Sequence, residues 1–267
     1  MIKNPTLVPV LTLLWIILIV FVLYPALKLL FVTFTAADGG FSLQNFSGIW
    51  KSAYDRQALW NSLFLGVTVA FSGTFLGFCF AYLTVRMKIP AFLKWVIATL
   101  TLLPLISPPF TSSVALTLAL GPNGIILTFL GIPQITFYGF WGTWIAETLT
   151  YFPVAYLALA AVLVSLDPSM EDAALSLGSS PWRVFTTVTL PMCTPGVANS
   201  LLLLFANSLA DFATPLVLAG HTFPVLPTQA YLQITGLYDL RGGAALSFLL
   251  LIPALGAYLL QHYWVSR

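Results

Sequence analysis

The sequence of 267 residues contains very few charged residues. Asp, Glu, Lys and Arg make up 7% of the chain, whereas a soluble domain usually carries about 25%. Apolar residues make up 59%, and the mean hydropathy is +0.97. So few charges cannot cover the apolar surface of a water-soluble fold of this size. The composition therefore excludes a nucleic-acid-binding protein, a secreted disulfide scaffold and an ordinary soluble enzyme, and it predicts a polytopic membrane protein.

Cysteines and nucleotide-binding motifs are also scarce. The two cysteines, Cys79 and Cys193, lie in or beside apolar stretches and have no CxxC neighbour, so neither a disulfide nor a metal site follows from them. The chain contains no GxxxxGK[ST] sequence. Because that motif supplies the backbone amides that cradle a nucleotide phosphate, we expect this chain to bind no ATP and no other cofactor.

Long apolar runs dominate the rest of the sequence. A helix needs about 20 mostly apolar residues to cross about 30 Å of hydrocarbon. The first run is too long for the hydrophobic region of a signal peptide, so we expect a retained helix. The runs also lack the alternation of a membrane barrel. The sequence predicts an all-α fold with six membrane-spanning helices, at 9–34, 60–85, 95–119, 139–165, 192–218 and 245–264.

The positions of the basic residues predict the orientation. Six spans place both termini on the same side of the membrane. With the termini in the cytoplasm, six Lys and Arg residues flank the spans inside and three flank them outside, which satisfies the positive-inside tendency. The inside set is Lys3, Arg86, Lys88, Lys94, Arg183 and Arg267, and the outside set is Lys51, Arg56 and Arg241.

Two segments outside the spans should have structure of their own on the external side. Residues 38–59 mix aromatic and charged residues after Gly-Gly and predict an interfacial helix that leads into the second span. Residues 219–244 contain several Gly and Pro residues around VLPTQAYLQITGLYDL, which indicates a long loop with a short helix.

The segment 166–191 predicts two short helices on the cytoplasmic side, between the fourth and fifth spans. Asp167 is a favourable N-cap, and Gly178 can adopt the left-handed conformation that ends a helix. Ser180 can cap a second helix that begins at Pro181. A short helix pair is marginal in water without tertiary contacts, so we expect a partner surface to hold it.

Within this segment the sequence EDAALSLG, followed by LP, resembles the EAA motif of binding-protein-dependent ABC importer permeases. The motif consists of an acid, two alanines, three residues, a glycine and, further on, a hydrophobic residue and a proline. The matching residues are Asp172, Ala173, Ala174, Gly178, Leu190 and Pro191. Asp172 stands where the family usually has Glu, and Glu171, one residue earlier, could share its role. The alternative is a helix–turn–helix that packs only on its own protein.

The resemblance implies a single permease domain over 1–267 that forms half of a translocation pore in the bacterial cytoplasmic membrane. Such a subunit pairs with itself or with a sister permease. Two cytoplasmic ATPases bind and hydrolyse the ATP, and an external binding protein delivers the substrate. The residues implied to couple to the ATPases are those of the motif together with Glu171 and Arg183.

Three ionisable residues fall inside predicted spans: Lys28, Glu147 and Asp211. Such residues are costly in a bilayer and indicate function by default. At about 1.5 Å per residue, all three lie in the outer half. On the fifth span Ser200, Asn207, Asp211 and Thr214 are spaced to share one helical face, as Thr143, Glu147, Thr150 and Tyr151 do on the fourth. Asp211, Asn207, Glu147 and Thr214 are therefore candidates for a substrate pathway. The alternative is a structural ion pair between Lys28 and a carboxylate, with hydroxyls bonded to neighbouring backbone.

The third predicted span contains Pro104, Pro108 and Pro109. Prolines free backbone carbonyl groups and bend helices, and such groups are tolerated at membrane depth only inside protein or beside water. The prolines predict a kinked helix, either beside the pore or kinked for packing alone.

The sequence SLADFATPLVLAG at 208–220 resembles the iron(III) branch of these permeases, whose relatives also carry phosphonate, thiamine, sulfate and polyamines. Hard cations take oxygen ligands, so two carboxylates fit iron(III) or a polyamine better than an oxyanion. In the iron branch two permease halves are often fused, so this chain could be a first half without its continuation.

Two other classes of protein are open to comparison. A secondary transporter or channel could also have six spans and intramembrane charges, but it would typically show an internal repeat, and we find none. An intramembrane enzyme would need clustered catalytic groups. The two histidines, His221 and His262, are predicted on opposite sides of the membrane, so we expect no enzymatic activity.

Overall fold

The structure is a computed structural model that describes residues 7–36, 39–121, 124–131 and 137–265. Within these ranges the regular structure is helical, apart from an isolated antiparallel bridge between Thr35 and Phe41. The predicted all-α class is confirmed. In chain order the α-helices are α1 (Leu7–Leu18), α2 (Tyr24–Thr33), α3 (Gln44–Lys51), α4 (Ala53–Val85), α5 (Ala91–Ile106), α6 (Pro109–Leu120), α7 (Ile125–Leu130), α8 (Phe140–Ser165), α9 (Ser169–Ser176), α10 (Pro181–Val184), α11 (Leu190–Ala210), α12 (Ala213–Leu218), α13 (Leu226–Thr235) and α14 (Leu240–Leu260).

Six helical segments of the described chain are long and apolar enough to cross a membrane, as the sequence predicted. They are Val8–Thr33, Ala53–Val85, Phe110–Leu130, Phe140–Ser165, Pro181–Ala210 and Leu240–Tyr263. Short π-helical segments join α1 to α2 (Ile19–Leu23) and α10 to α11 (Phe185–Thr189), so each pair forms one continuous helix. The chain termini, with Lys3 and Arg267 of the charge count, lie outside the described residues.

The core of the bundle is formed by α4, α8 and α11, which make the most extensive contacts with one another. Small residues on α4 allow its close approach to α8 and to α11, as is common between membrane helices. A Cβ added at Gly77 would lie 2.7 Å from the Ala155 Cβ, and one added at Gly73 would lie 2.5 Å from a methyl carbon of Leu204. Leu159 is fully buried between these helices. Two of the candidates for a substrate pathway, Glu147 on α8 and Asn207 on α11, therefore lie on helices of this tightly packed core.

The segment that follows α12 is hydrogen-bonded to the N-terminal part of α4. The Ser62 hydroxyl accepts a hydrogen bond from the Leu226 amide at 2.8 Å, and the Asn61 side chain donates to the Pro224 carbonyl at 2.8 Å. The short helix predicted within 219–244 is present as α13. The interfacial helix predicted within 38–59 is present as α3, although α4 begins at Ala53, well before the predicted start of the second span at residue 60.

The prediction of one kinked third span over 95–119 was wrong, because the chain forms two separate helices there. α5 ends at Ile106 and α6 begins at Pro109, with Ser107 extended between them at ψ 143°. A residue before proline is pushed out of the helical region, and two successive prolines cannot donate helix hydrogen bonds. Pro104, in contrast, is accommodated inside α5.

The fifth span also differs from its prediction. The predicted helix over 192–218 begins earlier, at Pro181, and ends at Ala210. Asp211 is extended, with φ −77° and ψ 117°, and the short helix α12 follows it. The shared face predicted for Ser200, Asn207, Asp211 and Thr214 is therefore wrong, because it required a continuous helix.

Cysteine labelling tests the predicted orientation. Leu177, which caps the C-terminus of α9, is 88% exposed, and Leu237, between α13 and α14, is 71% exposed. With the exposed Cys79 replaced by Ala, we expect a membrane-impermeant maleimide to label Leu177→Cys only from the cytoplasmic side and Leu237→Cys only from outside. A charged reagent cannot cross the hydrocarbon, so right-side-out and inverted vesicles give the two measurements. The reverse pattern would overturn the orientation.

Candidate functional site

The segment between α8 and α11 folds into two short helices, as predicted. The Asp167 carboxylate accepts the Ser169 amide at 2.9 Å, and this hydrogen bond lowers the pKa of Asp167. Gly178 has φ +85°, the left-handed conformation that lets the chain turn after α9. The Ser180 hydroxyl accepts the Arg183 amide at 3.4 Å and caps α10. Local capping residues therefore determine this geometry, and we call the segment 168–191 the elbow.

Most residues of the predicted motif lie on the outer surface of the elbow. Those that are exposed are Asp172, Ala173, Gly178, Arg183, Leu190 and Pro191, and Ala174 is half-buried. The space around Gly178 is open, since a Cβ built there meets no atom within 4 Å. Leu177 beside it is 88% exposed. The exposed surface of the elbow therefore combines small residues, the large apolar side chain of Leu177 and the carboxylate of Asp172.

Glu171, the residue before the motif, differs from the exposed motif residues because its side chain faces the body of the protein. One of its carboxylate oxygens lies 3.4 Å from Arg86 Nε and accepts a 2.8 Å hydrogen bond from the Thr189 hydroxyl. Arg86 also donates to the Leu166 carbonyl at 3.1 Å. The sequence interpretation missed the roles of Arg86 and Thr189, since Glu171 lies 18 positions from Thr189 and further still from Arg86, and such contacts leave no local pattern.

A second group of polar residues lies buried between α8, α11 and α12. Glu147 is completely buried, and its carboxylate accepts a hydrogen bond from the Ser208 hydroxyl. Asp211 is 6% exposed, and its amide donates to the carbonyl of the same Ser208 at 3.2 Å. One oxygen of Asp211 accepts the amides of Ala213, at 2.9 Å, and Thr214, at 3.1 Å. Asp211 is therefore the cap of α12, a role that the sequence interpretation did not assign to it.

This buried group, which we call the carboxylate cluster, retains unused hydrogen-bonding capacity. Four buried oxygens in it or beside it have no hydrogen-bond partner in the described structure: Glu147 Oε1, Asp211 Oδ2, Thr150 Oγ1 and Thr214 Oγ1. The Ser200 hydroxyl, about two turns before Ser208 on α11, has none there either. Asn207 is half-buried on α11, one helical turn before Asp211. Buried polar atoms normally find partners, so an arrangement of free carboxylate oxygens can accept a cation or its hydration water.

The alternative of an ion pair with Lys28 was wrong. Lys28 is exposed on the outside of α2, with its Nζ 5.6 Å from the centre of the Phe31 ring. Among the residues that the structure describes, the ion pair within 4.0 Å is that of Arg86 and Glu171. The two carboxylates of the carboxylate cluster are therefore not neutralised by Lys28.

The long apolar helices and the elbow between α8 and α11 define a polytopic helical membrane protein. Residues 73–267 match the family described as binding-protein-dependent transport system inner membrane component, and the chain belongs to this family. It is accordingly a multi-pass protein of the inner membrane.

Two relatives and one solved structure show how far the similarity extends. The putative ferric transport system permease protein FbpB 1 of Haemophilus influenzae is 34% identical over 265 residues, covering 96% of this chain and 41% of that protein. The chain thus spans about two fifths of the length of the ferric relatives that it matches. The molybdenum transport system permease protein ModB of Escherichia coli K12 is 31% identical over 222 residues, covering 78% of this chain and 93% of that protein. A chain in the crystal structure of a bacterial ABC transporter involved in the import of alginate has the same fold, with a TM-score of 0.84, 18% identity and coverage of 98% and 95%.

Substitutions at Asp211 separate its cap from its charge. Asp211→Asn keeps an oxygen for the Ala213 and Thr214 amides, so the thermal stability in detergent should change little. Asp211→Ala removes the cap and should lower the stability by about 1 kcal/mol. Lys28→Met should leave the stability of either variant unchanged, because the two side chains are not paired. Rescue of an unstable Asp211→Asn protein by Lys28→Met would contradict this assignment.

Proposed function

We propose that the chain is the membrane-spanning permease of an ATP-driven importer and that the elbow docks on a cytoplasmic ATPase. The observation that carries the proposal is the outer surface of the elbow, where Asp172, Ala173 and Gly178 are exposed. These residues belong to the segment that matches the transport family. An exposed carboxylate beside small residues and the exposed apolar side chain of Leu177 suits docking of another protein surface. ATP is then bound and hydrolysed on the ATPase, a separate subunit.

The proposed assembly has two permease halves, two ATPases and an external binding protein. The description of the family as binding-protein-dependent supports the last of these. The chain supplies one elbow and therefore one half of the pore, and a second copy or a sister permease supplies the other. Both termini and the elbow lie in the cytoplasm in this arrangement, which agrees with the distribution of basic residues.

The proposed substrate is iron(III), or a similar small cationic solute, that passes the carboxylate cluster. The ferric relative, similar over 96% of this chain, supports iron(III). The relative named for molybdenum transport has a similar level of identity, so sequence similarity does not separate the two. The chemistry of the carboxylate cluster favours the cation, since hard cations take oxygen ligands and two carboxyl groups suit them better than they suit an oxyanion.

Co-purification tests the docking surface. Ala173→Arg places a bulky cation on the exposed side of α9, where the helix itself tolerates arginine. We expect the ATPase retained by the affinity-tagged protein from native membranes to fall by about tenfold or more, which corresponds to a loss of about 1.4 kcal/mol or more in binding. Leu237→Arg, at an exposed position predicted on the other side of the membrane, is the matched control. Unchanged retention in Ala173→Arg would contradict docking at the elbow.

Uptake into proteoliposomes tests the substrate. The complex purified from native membranes should accumulate radiolabelled iron(III) from its loaded binding protein in the presence of ATP, and it should not accumulate molybdate. Asp211→Asn, which keeps the cap of α12, should lower iron(III) uptake because it removes a buried negative charge. Molybdate uptake, or full iron(III) uptake by Asp211→Asn, would contradict this part of the proposal.

A further inference from the structure

We infer that Glu171 is a positioning residue that links the elbow to the membrane-spanning helices, whereas the adjacent Asp172 faces the docking surface. The inference rests on the proposed function, because it assigns a path by which movement of a docked elbow reaches the pore. Four groups form the link: the Arg86 guanidinium, the Leu166 carbonyl, the Glu171 carboxylate and the Thr189 hydroxyl. We call them the inner clamp.

The inner clamp joins the ends of three long helices to α9. Arg86 caps the C-terminus of α4, and Leu166 caps the C-terminus of α8. Thr189 is the last residue before α11. The Glu171 carboxylate bridges two of them, since the same oxygen accepts from Thr189 at 2.8 Å and lies 3.4 Å from Arg86 Nε. A displacement of α9 therefore acts directly on α4 and α11, and through Arg86 on α8.

The inner clamp is more buried than an ordinary surface ion pair, and its electrostatic attraction is therefore screened less by water. The side chains of Arg86 and Glu171 are 10% and 22% exposed, and Thr189 is 2% exposed. Exposed pairs contribute little because water screens them and side-chain entropy opposes them. Here the partners are largely shielded and hydrogen-bonded on both sides, so the electrostatic attraction is stronger. Within the part of the chain that the structure describes, Arg86 Nε has no hydrogen-bond partner, and its 3.4 Å separation from Glu171 leaves room for a closer approach.

The adjacent acids Glu171 and Asp172 point in different directions. Successive residues on an α-helix are rotated by about 100°, so the two carboxylates cannot share one surface. Glu171 is half-buried against Arg86 and Thr189, and Asp172 is exposed. The two adjacent acids therefore have different roles. Asp172 can contact an external partner, and Glu171 holds the elbow to its own protein.

A wide helical turn lies where the inner clamp meets the fifth span. Over Phe185–Thr189 the helix is π-helical, and the Leu190 amide donates to the Phe185 carbonyl five residues earlier. Pro191 explains the wide turn, because it has no amide hydrogen and its ring would collide with the carbonyl four residues before it. Such π-turns interrupt the regular ladder and occur often at functional positions. The connection between the elbow and α11 thus contains one π-helical turn, and the hydrogen bond from Thr189 to Glu171 fixes the end of that turn.

The first experiment compares Glu171→Gln with Asp172→Asn in the complex purified from native membranes. Gln keeps an oxygen that can accept from Thr189 but removes the charge that attracts Arg86. We expect Glu171→Gln to retain the ATPase and its basal hydrolysis, while the stimulation of hydrolysis by the loaded binding protein falls by about tenfold, a typical size for coupling between sites. Asp172→Asn should instead lower ATPase retention. Loss of retention in Glu171→Gln, or full stimulation in that variant, would overturn the inference.

A double-mutant cycle tests whether Arg86 and Glu171 act as one unit. Arg86→Gln should lower the stimulation as Glu171→Gln does, and the double variant should be no worse than either single variant, because the same interaction is already lost. Two independent roles would give about a hundredfold loss and would overturn the inference. Should a single variant leave an unpaired charge and fold poorly, the double variant carries no such charge. Its folding yield must then recover, and failure to recover would also overturn the inference.

The failure of the inference is distinguishable from failure of the proposed function. If the unaltered protein retains no ATPase, the proposed function is wrong and the inference falls with it. If the unaltered complex shows stimulated hydrolysis and only the Glu171 and Arg86 results disagree, the inference alone is wrong.

Discussion

The constraint on which the rest of this structure depends is the need to satisfy every backbone hydrogen bond where no water is available. The long helices α4, α8, α11 and α14 satisfy this need with hydrogen bonds between their own backbone groups. Where the chain leaves a helix, a specific group compensates. At the break before α12 the Asp211 carboxylate accepts the two amides that a helix start would leave free. At the break before α6 the chain has prolines at 108 and 109, which have no amide hydrogen to satisfy. The positions of the breaks thus follow from which residues can supply or dispense with a hydrogen bond.

The same constraint separates structural polar residues from candidate functional ones. Many hydroxyl groups in the spans donate to a carbonyl one turn earlier, as Thr33, Ser62 and Thr143 do. Such residues need no further partner and indicate no pathway. A carboxylate cannot use this solution because, when ionised, it only accepts hydrogen bonds. Glu147 therefore depends on a donor from another helix, and Asp211 depends on the backbone amides that follow it. Each retains one oxygen without a hydrogen-bond partner among the described residues. This difference in chemistry, more than polarity alone, sets the carboxylate cluster apart.

Features determined by neighbouring residues could be predicted from the sequence, and features determined by distant ones could not. The six spans, the two helices of the elbow and the left-handed Gly178 depend on apolar runs, caps and a glycine. The interpretation failed at Asp211, because helical periodicity assumes an unbroken helix and the capping role of an Asp inside an apolar run was overlooked. It also failed at Lys28, whose depth in the membrane suggested a partner although the side chain faces outward. The pairing of Arg86 with Glu171 joins segments that no local pattern relates.

The two polar sites of the chain lie at opposite ends of the same pair of helices. At one end, Arg86 and Glu171 hold the end of α8 and the start of α11 through Leu166 and Thr189. Near the other end, Ser208 of α11 donates to Glu147 of α8, just before the break at Asp211. α11 contains 21 residues, about 30 Å at 1.5 Å per residue, close to the thickness of the hydrocarbon. A helix is stiff along its axis, although Pro195 interrupts the hydrogen-bond ladder of α11 near its start. We therefore expect a shift or rotation imposed at Thr189 to change the contact between Ser208 and Glu147, and hence the surroundings of the two carboxylates.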